Sequence, residues 1–121
     1  MSKEILNFKE LREKLSSDDI KRILLQNGVE AVKETEEYII YPTVCHNITG
    51  GSPKLYYYKN SKLFKCYTQC EGLFDIFELL IKINNLVGKK INIFQAIEMC
   101  GLSHYSISET EQDTIIKDTT D

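Results

Sequence analysis

The sequence lacks a long hydrophobic run. No stretch approaches the roughly 18 to 20 apolar residues of a membrane-spanning helix, and the longest apolar-rich segment, GLFDIFELLIKI, is interrupted by Asp75, Glu78 and Lys82. The opening segment MSKEILNFKELREKL is charged and amphipathic and does not have the apolar stretch of a secretory signal. We therefore expect a cytoplasmic protein with no membrane partner.

The sequence also lacks recognisable catalytic motifs. It contains no Walker loop, no G-x-S-x-G, no H-E-x-x-H and no paired carboxylates after a strand that could hold catalytic magnesium. Its cysteines do not have the C-x-x-C spacing near a βαβ pattern that is typical of a redox dithiol. We predict no catalytic residues in this chain, and whether it serves an enzyme stays open.

Size and charge indicate one small domain with a locally basic centre. The 121 residues are 42% hydrophobic and 10% aromatic, enough for a modest core that a structural metal would help to stabilise. The net charge is −2 over residues 1–40, +4 over 41–92 and −5 over 93–121. The basic part contains most of the cysteines and tyrosines. It could be a nucleic-acid-binding patch or an ordinary solvated face.

Two helices are predicted near the N-terminus. Asn7 is placed to cap the first, whose apolar residues recur at helical spacing: Phe8, Leu11 and Leu15. Ser16 and Asp19 have capping-box spacing at the start of the second, which we expect to end at Gly28. Two later segments, EGLFDIFELLIKINN and NIFQAIEMCG, have the apolar faces of helices: Leu73, Phe74, Phe77, Leu80 and Ile81 in the former, and Phe94, Ile97 and Cys100 in the latter.

Strands are predicted between these helices. The run GVEAVKE favours a strand weakly, EEYIIYP does so more strongly, and KLYYYK and KLFKCY form a hairpin around Asn60 and Ser61, after a loop NITGGSP. The predicted fold is α+β: a zinc ribbon with a small antiparallel sheet flanked by N- and C-terminal helices. We divide it into an N-terminal helix (1–16), a ribbon domain (17–104) and an acidic flexible tail or linker (105–121).

Four residues on two predicted turns have the spacing of a zinc site. Cys66 and Cys70 form one pair and the adjacent Cys45 and His46 the other, on either side of the hairpin. Neighbouring side chains of a strand point to opposite faces, so both can reach one ion only if the chain turns sharply there. If one fails, the alternative fourth ligands are His104, Cys100 and Glu71. We expect Cys100 to be an ordinary core residue. The predicted metal is structural Zn²⁺.

The hairpin could present aromatic and basic side chains on one face. Aromatic rings stack on unpaired bases while lysines neutralise phosphates, which suits single-stranded DNA. The alternative for each ring is ordinary packing within the sheet. The candidate DNA-binding residues are Lys54, Tyr56, Tyr58, Lys59, Lys62, Phe64 and Lys65.

In order along the chain, YPTVCHN, SPKLYYYKNSKLFKCYTQC and GLFDIFELL resemble the N-terminal zinc-binding domain of DnaG-type DNA primases of bacteria, phages and mobile elements. The resemblance extends from about Asp18 to about Leu102. Thr43 stands where the family usually has its first cysteine, Cys45 lies beside the histidine instead, and the second pair is C-x3-C where the family usually has C-x2-C.

The resemblance implies that the domain binds single-stranded template DNA on its ribbon sheet during primer synthesis in DNA replication. Catalysis would come from a separate TOPRIM domain or subunit, so the implied partners are single-stranded DNA, a primase catalytic domain and a replicative helicase. The rival hypothesis is a phage or mobile-element regulator or adaptor that uses the ribbon for protein–protein interaction. Its support is the low pI of about 5.4.

Overall fold

The computed structural model of the chain describes residues 4–47 and 51–107. The middle of the predicted NITGGSP loop and the predicted tail beyond residue 107 lie outside these ranges. The described elements in chain order are strand β1 (Glu4–Leu6), helices α1 (Phe8–Glu13) and α2 (Ser17–Gln26), strands β2 (Lys33–Glu34), β3 (Tyr38–Tyr41), β4 (Leu55–Tyr58), β5 (Leu63–Cys66) and β6 (Leu73–Phe74), helices α3 (Ile76–Leu86) and α4 (Ile93–Met99), and strand β7 (Tyr105–Ile107).

The predicted fold class is confirmed. Strands β2 to β6 form one antiparallel sheet in sequence order, with the helices flanking it. The two N-terminal helices are capped as predicted: Asn7 accepts from the Glu10 amide at 2.8 Å, and Ser16 and Asp19 form a capping box. None of the helices in the described ranges has the length and apolar character needed to cross a membrane.

The chain ends meet in a way that the sequence did not indicate. Strand β7 pairs in parallel with β1, with Glu4 opposite Tyr105 and Leu6 opposite Ile107. The first three residues assigned to an acidic tail are therefore a strand. Three-residue strands carry too little periodicity to be recognised, and their partner lies at the other end of the described chain.

Helix α3 begins later in the chain than predicted. The predicted helix included Leu73 and Phe74, but these two residues form β6 beside β5, and the helix begins at Ile76 behind the N-cap Asp75. Leu73 is 58% exposed, whereas Phe74 is buried against Phe64. Ile97 of α4 and Cys100 directly after the helix are buried as predicted, but Phe94 is 48% exposed and does not belong to the apolar face.

Alternation along the hairpin gives the sheet two different faces. Tyr57 pairs with Phe64, and their rings contact each other in the core with no exposed surface. The next pair along, Tyr56 and Lys65, points to the opposite face and is partly exposed. The core face joins one apolar cluster with residues of all four helices, including Leu11, Leu24, Phe77 and Ile97.

Asp75 links two helices through its carboxylate. One oxygen accepts from the Glu78 amide at 2.9 Å and so caps α3, while the other lies 3.3 Å from the Arg12 guanidinium of α1. Asp75 is only 4% exposed. Removal of this carboxylate would therefore remove the N-cap of α3 and leave the partly buried Arg12 without its ion-pair partner.

We expect Asp75→Ala to lower the free energy of unfolding by about 2 kcal/mol, with about half of the loss due to the cap. Asp75→Asn retains a capping oxygen and should lose about half as much. Urea denaturation measures both. Two variants as stable as the parent would contradict the assigned role of the carboxylate.

Candidate metal centre and tyrosine face

The first turn bends the chain around the carbonyl of Thr43. This oxygen accepts from the amides of His46 at 3.3 Å and Asn47 at 3.1 Å, so Cys45 and His46 lie on a tight turn and not on an extended strand. The sharp turn that two adjacent ligands require is therefore present. It follows directly from β3, which ends at Tyr41 before Pro42.

A glycine packs against the inside of this turn. A Cβ atom on Gly51 would lie 2.5 Å from Thr43 Oγ1 and 2.9 Å from Asn47 Nδ2, and the residue has a φ of +61°. Both the contact and the backbone angle exclude larger residues. In the sequence, Gly51 could only be recognised as part of a loop.

The second turn begins where β5 ends. Burial is the largest influence on the Cys66 thiol and raises its pKa. Hydrogen bonds from the Thr68 hydroxyl and from the backbone N–H groups of residues 68–70 together outweigh burial and lower the pKa of Cys66 to about 5. The thiolate is the form that binds metal, and this turn stabilises it.

Cys45 has the opposite electrostatic environment. Burial, followed by hydrogen bonds with Cys70 and Cys66, raises the pKa of Cys45 well above its usual range. The cluster therefore contains one cysteine whose thiolate is favoured and one whose protonated thiol is favoured. A bound cation would replace the proton of Cys45, because a metal ligand must be deprotonated.

The two turns converge on one point. The ligand atoms of Cys45, His46, Cys66 and Cys70 all lie within 4.8 Å of one another. In a tetrahedral site with Zn–S bonds of about 2.3 Å, neighbouring sulfurs are about 3.8 Å apart, so a small contraction would close the site. Three sulfurs and one imidazole suit zinc and not the oxygen-seeking Mg²⁺ or Ca²⁺. The cluster is compatible with a metal such as zinc.

The predicted alternative ligands do not join this cluster. Cys100 is 4% exposed at the end of α4 and belongs to the apolar core, as expected. Neither Glu71 nor His104 contributes to a group of potential ligands in the described part of the chain. The structure thus brings together the four residues that the sequence indicated, whereas nothing in the sequence indicated Thr68.

Four exposed or half-buried tyrosines cover the sheet on the side away from the core. We call Tyr38, Tyr56, Tyr58 and Tyr67, with Lys54 and Lys65, the tyrosine face. The Tyr56 ring lies 5.0 Å from Tyr67, 5.1 Å from Tyr38 and 6.1 Å from Tyr58 between ring centroids. Lys54, Tyr56 and Tyr67 line a shallow open cleft. Tyr67 is 50% exposed and follows the metal-site residue Cys66 directly.

The tyrosine face contains part of the predicted DNA-binding set. Tyr56, Tyr58, Lys54 and Lys65 belong to it, but the expectation that Phe64 is exposed is wrong, because its ring is fully buried. Both remaining lysines of the predicted set make contacts within the protein. Lys59 lies 2.7 Å from Glu34, and the ammonium of Lys62 donates to the Leu15 carbonyl.

Fold and site together define a small α+β domain with a Cys3His cluster at one end of its sheet. The chain is 46% identical over 89 residues to the SPbeta prophage-derived uncharacterized protein YorJ of Bacillus subtilis (strain 168). The match covers 73% of the chain and 24% of the relative, so the chain spans about a quarter of that protein's length. The chain matches no protein-family model and no solved structure. A phage origin agrees with this similarity.

We expect Cys45→Ala, His46→Ala, Cys66→Ala and Cys70→Ala each to weaken zinc binding by more than about 100-fold, since loss of an outer-sphere partner alone costs about 10- to 100-fold. Competition with a chromophoric chelator measures the affinity. Cys100→Ala, which removes a buried thiol outside the cluster, is the matched control and should bind zinc like the parent. Full zinc affinity in His46→Ala would assign the fourth position to another ligand.

Proposed function

We propose that this domain binds structural zinc through Cys45, His46, Cys66 and Cys70 and binds single-stranded DNA on the tyrosine face. The observation that carries the proposal is the position of this face beside the metal centre. Cys66 contributes to the cluster, and the next residue, Tyr67, contributes a half-exposed ring to the face. A metal that holds this turn would therefore also position an aromatic platform.

The arrangement of rings and lysines supports a single-stranded ligand. Each exposed ring can stack on one unpaired base, an interaction worth about 1–3 kcal/mol. The Lys65 ammonium lies 5.4 Å from the centroid of the Tyr67 ring, and Lys54 borders the same cleft. A base that stacks on Tyr67 would thus have cations near its phosphates.

The resemblance to primase zinc-binding domains supports a more specific role. In this role the domain positions template DNA for primer synthesis, and a separate TOPRIM domain or subunit performs the catalysis. A primase catalytic domain and a replicative helicase are the proposed partners. The greater length of the prophage relative leaves room for such additional domains.

Removal of two rings of the tyrosine face should weaken DNA binding, whereas removal of an exposed ring elsewhere in the protein should not. We expect Tyr56→Ala combined with Tyr67→Ala to raise the Kd for an oligothymidylate by about tenfold or more, because stacking platforms are lost. Fluorescence anisotropy measures the affinity. Phe94→Ala removes a similarly exposed ring from α4 and should leave the Kd unchanged.

The salt dependence separates DNA binding from the adaptor hypothesis. Titrations of the parent protein at two salt concentrations should show weaker binding at the higher concentration, because phosphate contacts release counterions. A parent protein without salt-dependent DNA binding would contradict the proposal and favour an adaptor. Equal losses in the Phe94→Ala and double-tyrosine variants would contradict the assignment of the face.

Removal of zinc should weaken DNA binding through Tyr67. We expect chelation to raise the Kd of the parent by about tenfold, the value of roughly one stacked base, and added Zn²⁺ to restore it. In Tyr67→Ala the same treatment should have a much smaller effect, because the ring that the metal positions is already absent. An equal effect of chelation in both proteins would contradict this coupling.

A further inference from the structure

A threonine that is not a ligand connects two of the metal-site residues. Thr68 Oγ1 lies 2.9 Å from Nε2 of His46 and 3.2 Å from Sγ of Cys66. These contacts cross from the second turn to the first, so one hydroxyl touches a residue of each ligand pair. Thr68 itself is exposed, and its hydroxyl is held by these two partners.

A hydroxyl has one proton to donate, and this restricts how the three groups can be protonated. If Thr68 donates to the Cys66 thiolate, its oxygen is free to accept from Nε2–H of His46. In the neutral imidazole the other nitrogen, Nδ1, then carries an available lone pair. If Thr68 instead donated to Nε2, the proton of the neutral ring would be on Nδ1, and neither nitrogen would be available to a metal.

We propose that Thr68 is a positioning residue that makes Nδ1 of His46 the metal-binding nitrogen. This inference rests on the zinc binding proposed above and concerns how the histidine takes part in it. A histidine ligand commonly donates its second N–H to an oxygen acceptor, which holds the ring in one orientation and one tautomer. Here the acceptor would be Thr68, whose own proton is directed to a neighbouring ligand.

The position of His46 on a tight turn agrees with this assignment. Nδ1 is closer to the main chain than Nε2, so it suits a ligand whose backbone is held near the cluster by hydrogen bonds to the Thr43 carbonyl. Cys45 and His46 are adjacent, and their two side chains must reach the same ion over short distances. Nε2, on the side of the ring away from the main chain, already has Thr68 Oγ1 as its hydrogen-bond partner.

Two experiments test the inference on the whole chain. The first is a long-range ¹H–¹⁵N NMR spectrum of the zinc-loaded protein, which distinguishes a protonated from a metal-bound ring nitrogen. We expect Nε2 of His46 to be protonated and Nδ1 to be metal-bound. The opposite pattern would overturn the proposal while leaving zinc binding intact, whereas a parent protein that bound no zinc would overturn both proposals.

The second experiment compares two substitutions of the threonine. Thr68→Val keeps the shape of the side chain and removes the hydroxyl, and it should weaken zinc binding by about 10- to 100-fold. Thr68→Ser keeps the hydroxyl and should bind zinc like the parent in the same chelator competition. Equal affinities of the two variants would overturn the positioning role. If Thr68→Val does not fold, the NMR assignment of the parent decides.

Discussion

The site depends on the turn around the Thr43 carbonyl, because only this bend lets two adjacent residues reach one ion. The sheet brings the second turn beside the first. The first turn follows β3, the β4–β5 hairpin reverses the chain, and β5 ends at Cys66 at the start of the second turn. The four clustered residues thus come from two turns at one end of one sheet. A metal there would tie these turns together and add stability to a domain whose core is necessarily small.

The same strands form both the core and the tyrosine face. Tyr57 and Tyr56 are neighbours in β4, yet the first is buried and the second partly exposed. Burial raises the pKa of Tyr57 to about 12, and its hydroxyl has no hydrogen-bond partner among the described residues. An unpaired buried hydroxyl costs about 1–3 kcal/mol. The core therefore contains an unpaired hydroxyl, whereas on the tyrosine face the hydroxyls of Tyr58 and Tyr67 hydrogen-bond to each other.

The sequence predicted those features that local patterns encode. Spacing within a short segment specifies the hairpin and the capping residues Asn7 and Ser16. Two turns that bracket the hairpin specify the four clustered residues. The β1–β7 pair is not specified in this way, because it joins distant three-residue strands. The burial of Phe64 could not be predicted, because alternation separates the two faces of the hairpin but does not show which face is buried. The contacts of Thr68 with His46 and Cys66 were not predicted, because they form only once both turns meet.

The charges of the chain limit how much phosphate contacts could contribute to the proposed binding of single-stranded DNA. The whole chain has a net charge of −3, and Lys59 and Lys62 are engaged with Glu34 and Leu15. Lys54 and Lys65 are thus the cations of the tyrosine face, too few for tight binding by phosphate neutralisation alone. Stacking would have to supply most of the affinity. Since a duplex keeps its bases stacked on each other, such a face would favour single strands over double-stranded DNA.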